Sequence, residues 1–153
     1  MKRKYLFLAV IISVMFLATG CSSNSEEKTM TCSRTMDQNE MKTSLSYKIS
    51  YKGDYVTRVK SEESIETSDT STLDTYKEQI EKIYSPYKDV KYYQYNVTID
   101  GNKLISTVDI NYEKIDTDKL IKIDSANSQL INDGKVKVSS VKSLYEQLGA
   151  TCK

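Results

Sequence analysis

The sequence predicts an α+β domain: an antiparallel sheet built from two hairpins, packed by an amphipathic helix, with a C-terminal helix. Three observations support this fold class. Two pairs of segments alternate apolar and polar residues around short turns, which is the period of half-buried strands. Between the pairs, apolar residues recur at helical spacing. The chain has no strand–helix–strand rhythm of the kind that builds parallel sheets, so the sheet is expected to be antiparallel.

The first hairpin is predicted to turn at residues 52–54, Lys-Gly-Asp. The alternating residues are Leu45, Tyr47, Ile49 and Tyr51 before the turn and Tyr55, Thr57 and Val59 after it. Directly opposed residues share a face of the sheet, so a three-residue loop that pairs Ile49 with Thr57 keeps the apolar side chains together. A two-residue loop would pair Ile49 with Arg58 and is therefore rejected. The loop is expected to contain an odd number of residues.

The second hairpin is predicted to turn at Gly101-Asn102. The alternating residues are Tyr93, Tyr95, Val97 and Ile99 before the turn and Leu104, Val108 and Ile110 after it. A two-residue loop pairs Ile99 with Leu104 and keeps the apolar sets on one face. Glycine and asparagine both tolerate positive φ, which this kind of turn needs.

The helix between the hairpins is expected to lie across the apolar face of the sheet. Its stripe consists of Leu73, Tyr76, Ile80, Ile83, Tyr84 and Tyr87. Asp69, Ser71 or Thr72 can cap its start, and Pro86 ends it. This is the longest amphipathic helix in the chain after the N-terminal segment, so it is the natural cover for the sheet.

Two further helices are predicted toward the C-terminus. The C-terminal helix is expected to be capped by Ser140 and to stop at Gly149. Its apolar residues are Val141, Leu144, Tyr145 and Leu148. A short helix is also expected over residues 116–123, with Asp116 or Thr117 as its cap.

The first twenty residues have the order of a lipoprotein signal peptide. Three positive charges come first, and residues 6–17 follow with Ser13 as their only polar side chain. This apolar run is shorter than the roughly 20 residues that span a bilayer. Gly20-Cys21 ends the segment and resembles the bacterial lipobox, although Ala18 stands where a bulky aliphatic residue is usual. The alternative is an ordinary signal peptide with Cys21 as a free thiol.

These features predict three parts of the chain and a location. Residues 1–20 are expected to be the signal peptide, residues 21–29 the lipidated Cys21 with a flexible tether, and residues 30–153 a single α+β domain. The protein is expected on the outer face of the cell membrane, anchored by lipid on Cys21. The segment removed carries three basic and no acidic side chains, which leaves 19 basic and 21 acidic residues. That balance argues against a nucleic-acid partner.

Cys32 and Cys152 are the other two cysteines of the chain. Export places them in an oxidising compartment, so a disulfide between them is predicted, with two free thiols as the alternative. The bond would close a loop of roughly 120 residues. The chain has no histidine. No metal site and no cofactor are therefore expected.

Several short features together resemble the YehR-like family of bacterial lipoproteins, a domain of unknown function. They are the lipobox, the polar tether, a cysteine-containing first strand at residues 31–35 and the sequence Tyr-Lys-Gly-Asp-Tyr-Val at residues 51–56. The likeness covers most of residues 29–152. The resemblance implies a cell-envelope lipoprotein with a small α+β domain. It brings no established activity, so no catalytic residue is carried over.

Tyrosine is the conspicuous residue of the chain, with 12 copies against 2 phenylalanines and no tryptophan. Tyr87 and Tyr92 flank the turn from helix to strand and are the candidate binding surface, because tyrosine suits peptides and sugars. The alternative is that the tyrosines belong to the core. Enzyme activity is not expected, because no histidine can act as a base near neutral pH.

Two functions are therefore predicted from different classes. The first is an accessory or binding lipoprotein that holds an envelope protein, peptide or glycan. The second is a structural or assembly partner with no small ligand. A concave, tyrosine-lined pocket would favour the first, and a flat patch or a bare strand edge would favour the second.

Overall fold

A computed structural model describes residues 26–38 and 40–153. The eight strands in this part of the chain are β1 (Glu27–Gln38), β2 (Met41–Lys52), β3 (Tyr55–Thr67), β4 (Tyr93–Asp100), β5 (Lys103–Asn111), β6 (Ile131–Asn132), β7 (Lys135–Val136) and β8 (Thr151–Cys152). The helices are α1 (Thr70–Tyr84), α2 (Thr117–Ile123) and α3 (Val138–Gln147), with 3-10 turns at Ser85–Tyr87 and Ser125–Gln129.

Six strands form one antiparallel sheet in the order β4-β5-β3-β2-β1-β8. A separate small hairpin pairs β6 with β7. The predicted α+β class, with two hairpins, a covering helix and a C-terminal helix, is confirmed. The sheet is larger than the two hairpins, because β1 and β8 extend it beyond β2.

The first hairpin differs from its prediction at the turn. Lys52 lies opposite Tyr55, so the loop has two residues and the expected odd loop is wrong. The ladder then shifts at a β-bulge, after which Ile49 lies opposite Val59, so the predicted pairing of Ile49 with Thr57 is also wrong. A bulge adds one residue to one strand. Here the extra residue is Thr57. A two-residue loop without the bulge would place the apolar residues of the two strands on opposite faces, and the bulge returns them to the same face.

The second hairpin is confirmed in full. Ile99 pairs with Leu104 across the Gly101-Asn102 turn, and the strands continue in register to their far ends. Gly101 has φ of +59°, a backbone conformation that glycine adopts without strain. The turn and the alternating pattern agree here, so no bulge is needed.

Helix α1 begins after Asp69, whose side chain accepts the Ser71 N–H at 3.1 Å. It ends at Tyr84, just before the proline, as expected. Leu73 is fully buried and forms a small core with Val97 and Leu104 of the sheet. Tyr76 and Ile80 pack at the edge of this core. The predicted stripe is wrong at Ile83, which is 63% exposed.

Helices α2 and α3 cover the other half of the same face and form a second, larger core. The buried residues of this core include Cys32, Ile49, Val59, Leu120, Val136 and Val141. Asp116 caps α2 as predicted, accepting the Lys119 N–H at 3.0 Å. Helix α3 begins at Val138 and not after Ser140, because the chain leaves β7 directly into the helix. Leu148 is 51% exposed, so it too lies outside the core.

The two ends of the domain meet at β1. Cys32 and Cys152 form a disulfide with Cα atoms 3.9 Å apart, and β8 pairs with β1 beside it. Strand β1 begins at Glu27, so the tether predicted to reach residue 29 is too long. Glu27 is held by Thr57, whose hydroxyl donates to its carboxylate at 2.7 Å. The predicted signal peptide and Cys21 lie outside the described residues.

Candidate binding groove on the open face of the sheet

The two faces of the sheet have opposite character. Helices cover one face, and the side chains of the other face are mostly polar and exposed. In one row across four strands, Lys48 lies beside Lys60, Lys60 beside Asp109, and Asp109 beside Gln94. The next row consists of Ser46, Glu62, Thr107 and Asn96. The alternation that places apolar residues under the helices therefore places polar residues on the open face.

A groove of about 950 Å³ runs across this open face from β2 to β4. Its lining residues are Ser46, Lys48, Lys60, Ser61, Glu62, Lys88, Tyr93, Gln94, Tyr95, Asn96, Thr107, Val108 and Asp109. A groove of this size is within the range of small-molecule sites in proteins. Its open-face side chains offer hydroxyl, amide, ammonium and carboxylate groups. Tyr93 and Tyr95 border its β4 end, but their rings lie on the helix side, where they pack on Tyr87 and Tyr84.

One ion pair fixes the charges at the middle of the groove. Arg58 Nε and Nη2 donate to the two carboxylate oxygens of Asp109 at 2.7 and 2.6 Å. Lys60 Nζ lies 3.5 Å from the same carboxylate. The hydrogen bonds from Arg58 are the main reason that the pKa of Asp109 is lowered. Asp109 is therefore ionised and oriented, and it is unsuited to act as a proton donor.

Three other charged side chains of the groove have no ion-pair partner of this kind. Among the described residues, Lys48, Lys88 and Glu62 make no ion pair within 4 Å. Exposed lysine and glutamate side chains of this kind are available to a polar ligand. A smaller hollow of about 380 Å³ shares Lys48 and Lys60 with the groove and continues along the same face.

The two tyrosines predicted as a binding surface have different surroundings. Tyr87 is half-buried and stacks on Tyr93 with ring centroids 4.7 Å apart. Tyr92 is 37% exposed, and Lys91 Nζ lies 4.9 Å from the centre of its ring. The structure places Tyr92 at the surface. Tyr87 belongs to the packed core, because the turn before β4 folds its ring inward, and the prediction of a surface position for it is wrong.

Most other tyrosines are also buried or half-buried against neighbouring side chains. Tyr47 stacks on Tyr145 with ring centroids 4.0 Å apart, and its hydroxyl donates to Glu63 at 2.8 Å. Burial, followed by the charge of Glu63, raises the pKa of Tyr47. Burial also raises the pKa of Tyr84 to about 12. These phenols stay neutral near neutral pH and serve as large packing groups with one polar end.

No group of three or more histidine, cysteine, aspartate or glutamate residues in the described part of the chain is arranged to hold a metal ion. None of the helices that the structure describes has the length and apolar character of a membrane span.

Comparison with known proteins agrees with the fold. A family model described as a protein of unknown function, DUF1307, matches residues 30–151. The chain belongs to this family. The YehR protein of E. coli, solved by NMR, is 19% identical, with a TM-score of 0.58, and the match covers 84% of this chain and 92% of that one. The expected YehR-like resemblance is confirmed.

A second NMR structure, a protein from Streptococcus pneumoniae TIGR4, is 15% identical with a TM-score of 0.52, and the match covers 100% of this chain and 98% of that one. At these identities, both similarities show the fold alone. A search of curated proteins found no match.

The groove itself was not predicted from the sequence. Its polar residues were visible as the alternate positions of the two hairpins, for example Lys48 and Asn96. Their pattern places them on the face away from the core, but it does not show that this face is concave. The bulge in β3 and the pairing of β3 with β5 bring the two hairpins into one surface. Neither feature has a local sequence signal.

Proposed function

We propose that this protein is a membrane-anchored lipoprotein of the cell envelope whose domain binds a glycan in the open-face groove, without catalysis. The observation that carries the proposal is the groove, which spans four strands and is lined by side chains with many hydrogen-bonding groups. A binding lipoprotein needs such a surface on the side that faces away from its own core.

The ligand class follows from the kind of hydrogen-bonding groups that the groove offers, which belong to side chains and not to the backbone. Strands β2, β3 and β5 are each paired on both sides, so their backbone groups are used within the sheet. Binding must therefore come from side chains such as Gln94, Asn96 and Glu62. Sugar hydroxyls pair well with amides and carboxylates. A peptide would need partners for its backbone, which the floor of the groove does not offer.

The anchor is supported by the sequence of residues 1–21. Metabolic labelling with a radioactive fatty acid tests it in the intact precursor. Wild-type protein should carry label, and Cys21→Ala should carry none, because the thiol is the attachment atom. Ser22→Ala is the matched control and should keep the label. Label on the Cys21→Ala variant would show that lipid is attached elsewhere.

Binding is tested with two matched double variants. Lys48→Ala with Glu62→Ala removes one charge of each sign from the groove. Lys42→Ala with Glu66→Ala is the control, because it removes the same two residue types from the same strands and the same face, outside the groove. Co-sedimentation with purified insoluble cell-wall glycan should weaken by about tenfold or more for the groove variant, which is about 1.4 kcal/mol. The control should change binding by less than about twofold.

Two outcomes would contradict the proposal. Equal binding by both double variants would show that the groove is not the site. Binding to envelope peptides with no binding to glycan would show that the ligand class is wrong.

A further inference from the structure

Strand β4 is the outer strand of the sheet, and it lacks the features that usually protect such an edge. Residues 93–99, Tyr-Gln-Tyr-Asn-Val-Thr-Ile, contain no charged residue and no proline, and their pairing with β5 shows no bulge. The opposite edge is different, since β1 carries Arg34 and Asp37 and is partly covered by β8. Edge strands of natural proteins are usually shortened, charged or covered, because an open edge pairs with other chains.

The unused backbone groups of β4 follow from the hairpin geometry. Asp100 and Lys103 close a two-residue turn, so they form a hydrogen-bonded pair, and such pairs alternate along the ladder. The N–H of Asn111 donates to the carbonyl of Tyr92 at 3.0 Å, in phase with that alternation. The odd-numbered residues of β4 therefore direct their backbone groups outward. Within the described residues, those of Tyr95, Val97 and Ile99 have no backbone partner.

We propose that β4 pairs antiparallel with β4 of a second copy of this chain, with Asn96 on the two-fold axis. The outward-directed residues of β4 are Tyr93, Tyr95, Val97 and Ile99, and they are symmetric about Asn96. The register centred there opposes all four of them, Tyr95 with Val97 of the other copy and Tyr93 with Ile99. The N–H of Tyr93 already donates to the carbonyl of Val90 at 3.1 Å, so Tyr93 offers only its carbonyl to this pairing. A two-fold axis requires a surface that complements itself in this way.

The side chains agree with this register on both faces. Directly opposed residues share a face, so Tyr95 would meet Val97 on the helix side. On the open side, Gln94 would meet Thr98, and Asn96 would meet its own copy. No like charges are opposed anywhere in the pairing.

The pairing would also change the groove. Tyr93, Gln94, Tyr95 and Asn96 line the β4 end of the groove, so the grooves of two copies would meet across the axis. The result is one surface of twelve strands that could hold a ligand longer than one domain. The pairing itself does not depend on whether the groove binds a glycan.

Cysteine cross-linking in the full-length chain tests both the partner and the register. Asn96→Cys would place two cysteines at a non-hydrogen-bonded pair with Cα atoms about 4.5 Å apart, close enough for a disulfide. Mild oxidation of intact cells should give a reducible dimer on a gel. Thr98→Cys is the matched control on the same strand and face. Its two copies would be about 14 Å apart along the strands, too far for a bond.

Co-expression of two different cysteine variants supplies a second test of the register. Cells that express Gln94→Cys and Thr98→Cys together should form a mixed dimer, since these residues oppose each other, while each alone should not. Without any cross-link, Asn96→Lys should lower the dimer population of the full-length protein at least tenfold by analytical ultracentrifugation in detergent, because it opposes two charges on the axis. Thr35→Lys on the other edge should not.

Three results would overturn the proposal. The first is a wild-type protein that is monomeric by ultracentrifugation at all concentrations. The second is equal cross-linking of Asn96→Cys and Thr98→Cys, which would mean random collision. The third is cross-linking of Asn96→Cys to a different envelope protein with no homodimer, which would assign the edge to another partner.

Discussion

Replacing Leu73 by Ala should destabilise the domain by about 2–5 kcal/mol. Leu73 is fully buried in the small core that joins α1 to β4 and β5. Burying a leucine contributes about 1.5–3 kcal/mol, and the cavity left by truncation costs a further ~24 cal/mol per Å³. A domain of this size has a free energy of unfolding of roughly 5–15 kcal/mol, so the loss is a large share of the total. With a urea slope of about 2 kcal/mol per molar, the midpoint should fall by about 1–2.5 M.

The matched control is Ile83→Ala on the same helix. It removes the same number of carbon atoms, but Ile83 is 63% exposed, so the cost should be under about 0.5 kcal/mol. Ile80→Ala should fall between the two, because Ile80 packs at the edge of the core. Urea melts of the three variants measure the contrast. Equal midpoint shifts for Leu73→Ala and Ile83→Ala would refute the packing of α1 described here.

Cys152→Ser should lower the free energy of unfolding by up to about 5 kcal/mol, since the disulfide spans a sequence separation of 120 residues; melts with and without reductant should then coincide for the variant. Arg58→Gln should raise the pKa of Asp109 toward its ordinary value near 3.9, and carbon-13 NMR titration measures it. In the wild-type protein, the lowered pKa of Asp109 contributes stability above that ordinary value, and the contribution is lost as pH falls through the lowered pKa. Because the pKa of Tyr84 is raised to about 12, stability should decline as pH rises from about 10 to about 12, and less steeply in Tyr84→Phe.

The parts of the fold that were predictable are those with local signals. The Gly101-Asn102 turn and the alternation around it determine both the loop length and the register of the second hairpin. Asp69 and Pro86 set the two ends of α1 in the same way. In these segments, turn chemistry, capping and hydrophobic period all indicate the same structure, so each one supports the others.

The first hairpin shows why a correct pattern can give a wrong register. The alternation correctly required Ile49 and Val59 to share a face with their neighbours. A three-residue loop was the simplest way to satisfy that requirement, but the chain uses a two-residue loop and a bulge at Thr57. Each solution shifts the register by one residue, but in opposite directions: the longer loop would take Lys52 out of β2, whereas the bulge adds Thr57 to β3. The alternating pattern shows that the register must shift by one residue, but it does not show where in the hairpin the shift occurs.

The candidate site depended on contacts between distant segments, so less of it was predictable. Tyr87 has the same local pattern as a surface tyrosine, yet the fold stacks it on Tyr93. The pairing of β3 with β5 joins the two hairpins, whose paired residues run from Arg58 with Asn111 to Glu66 with Lys103, and it creates the groove. The disulfide is the exception among distant contacts, because the expected export to an oxidising compartment and the cysteine count were sufficient to predict it.

The disulfide also determines how the domain would respond to mechanical force. A pull on the N-terminus would reach the folded domain at Glu27 and arrive at Cys32 after only five residues of β1. From Cys32 the force would divide between β1 and the covalent bond to Cys152, which follows α3. If Glu27 and the C-terminus were drawn apart, only residues 27–31 and Lys153 could extend within the described part of the chain, because they lie outside the bond. A domain held to a membrane at one end, and to a ligand on its open face, would thus be loaded through two segments of the fold at once.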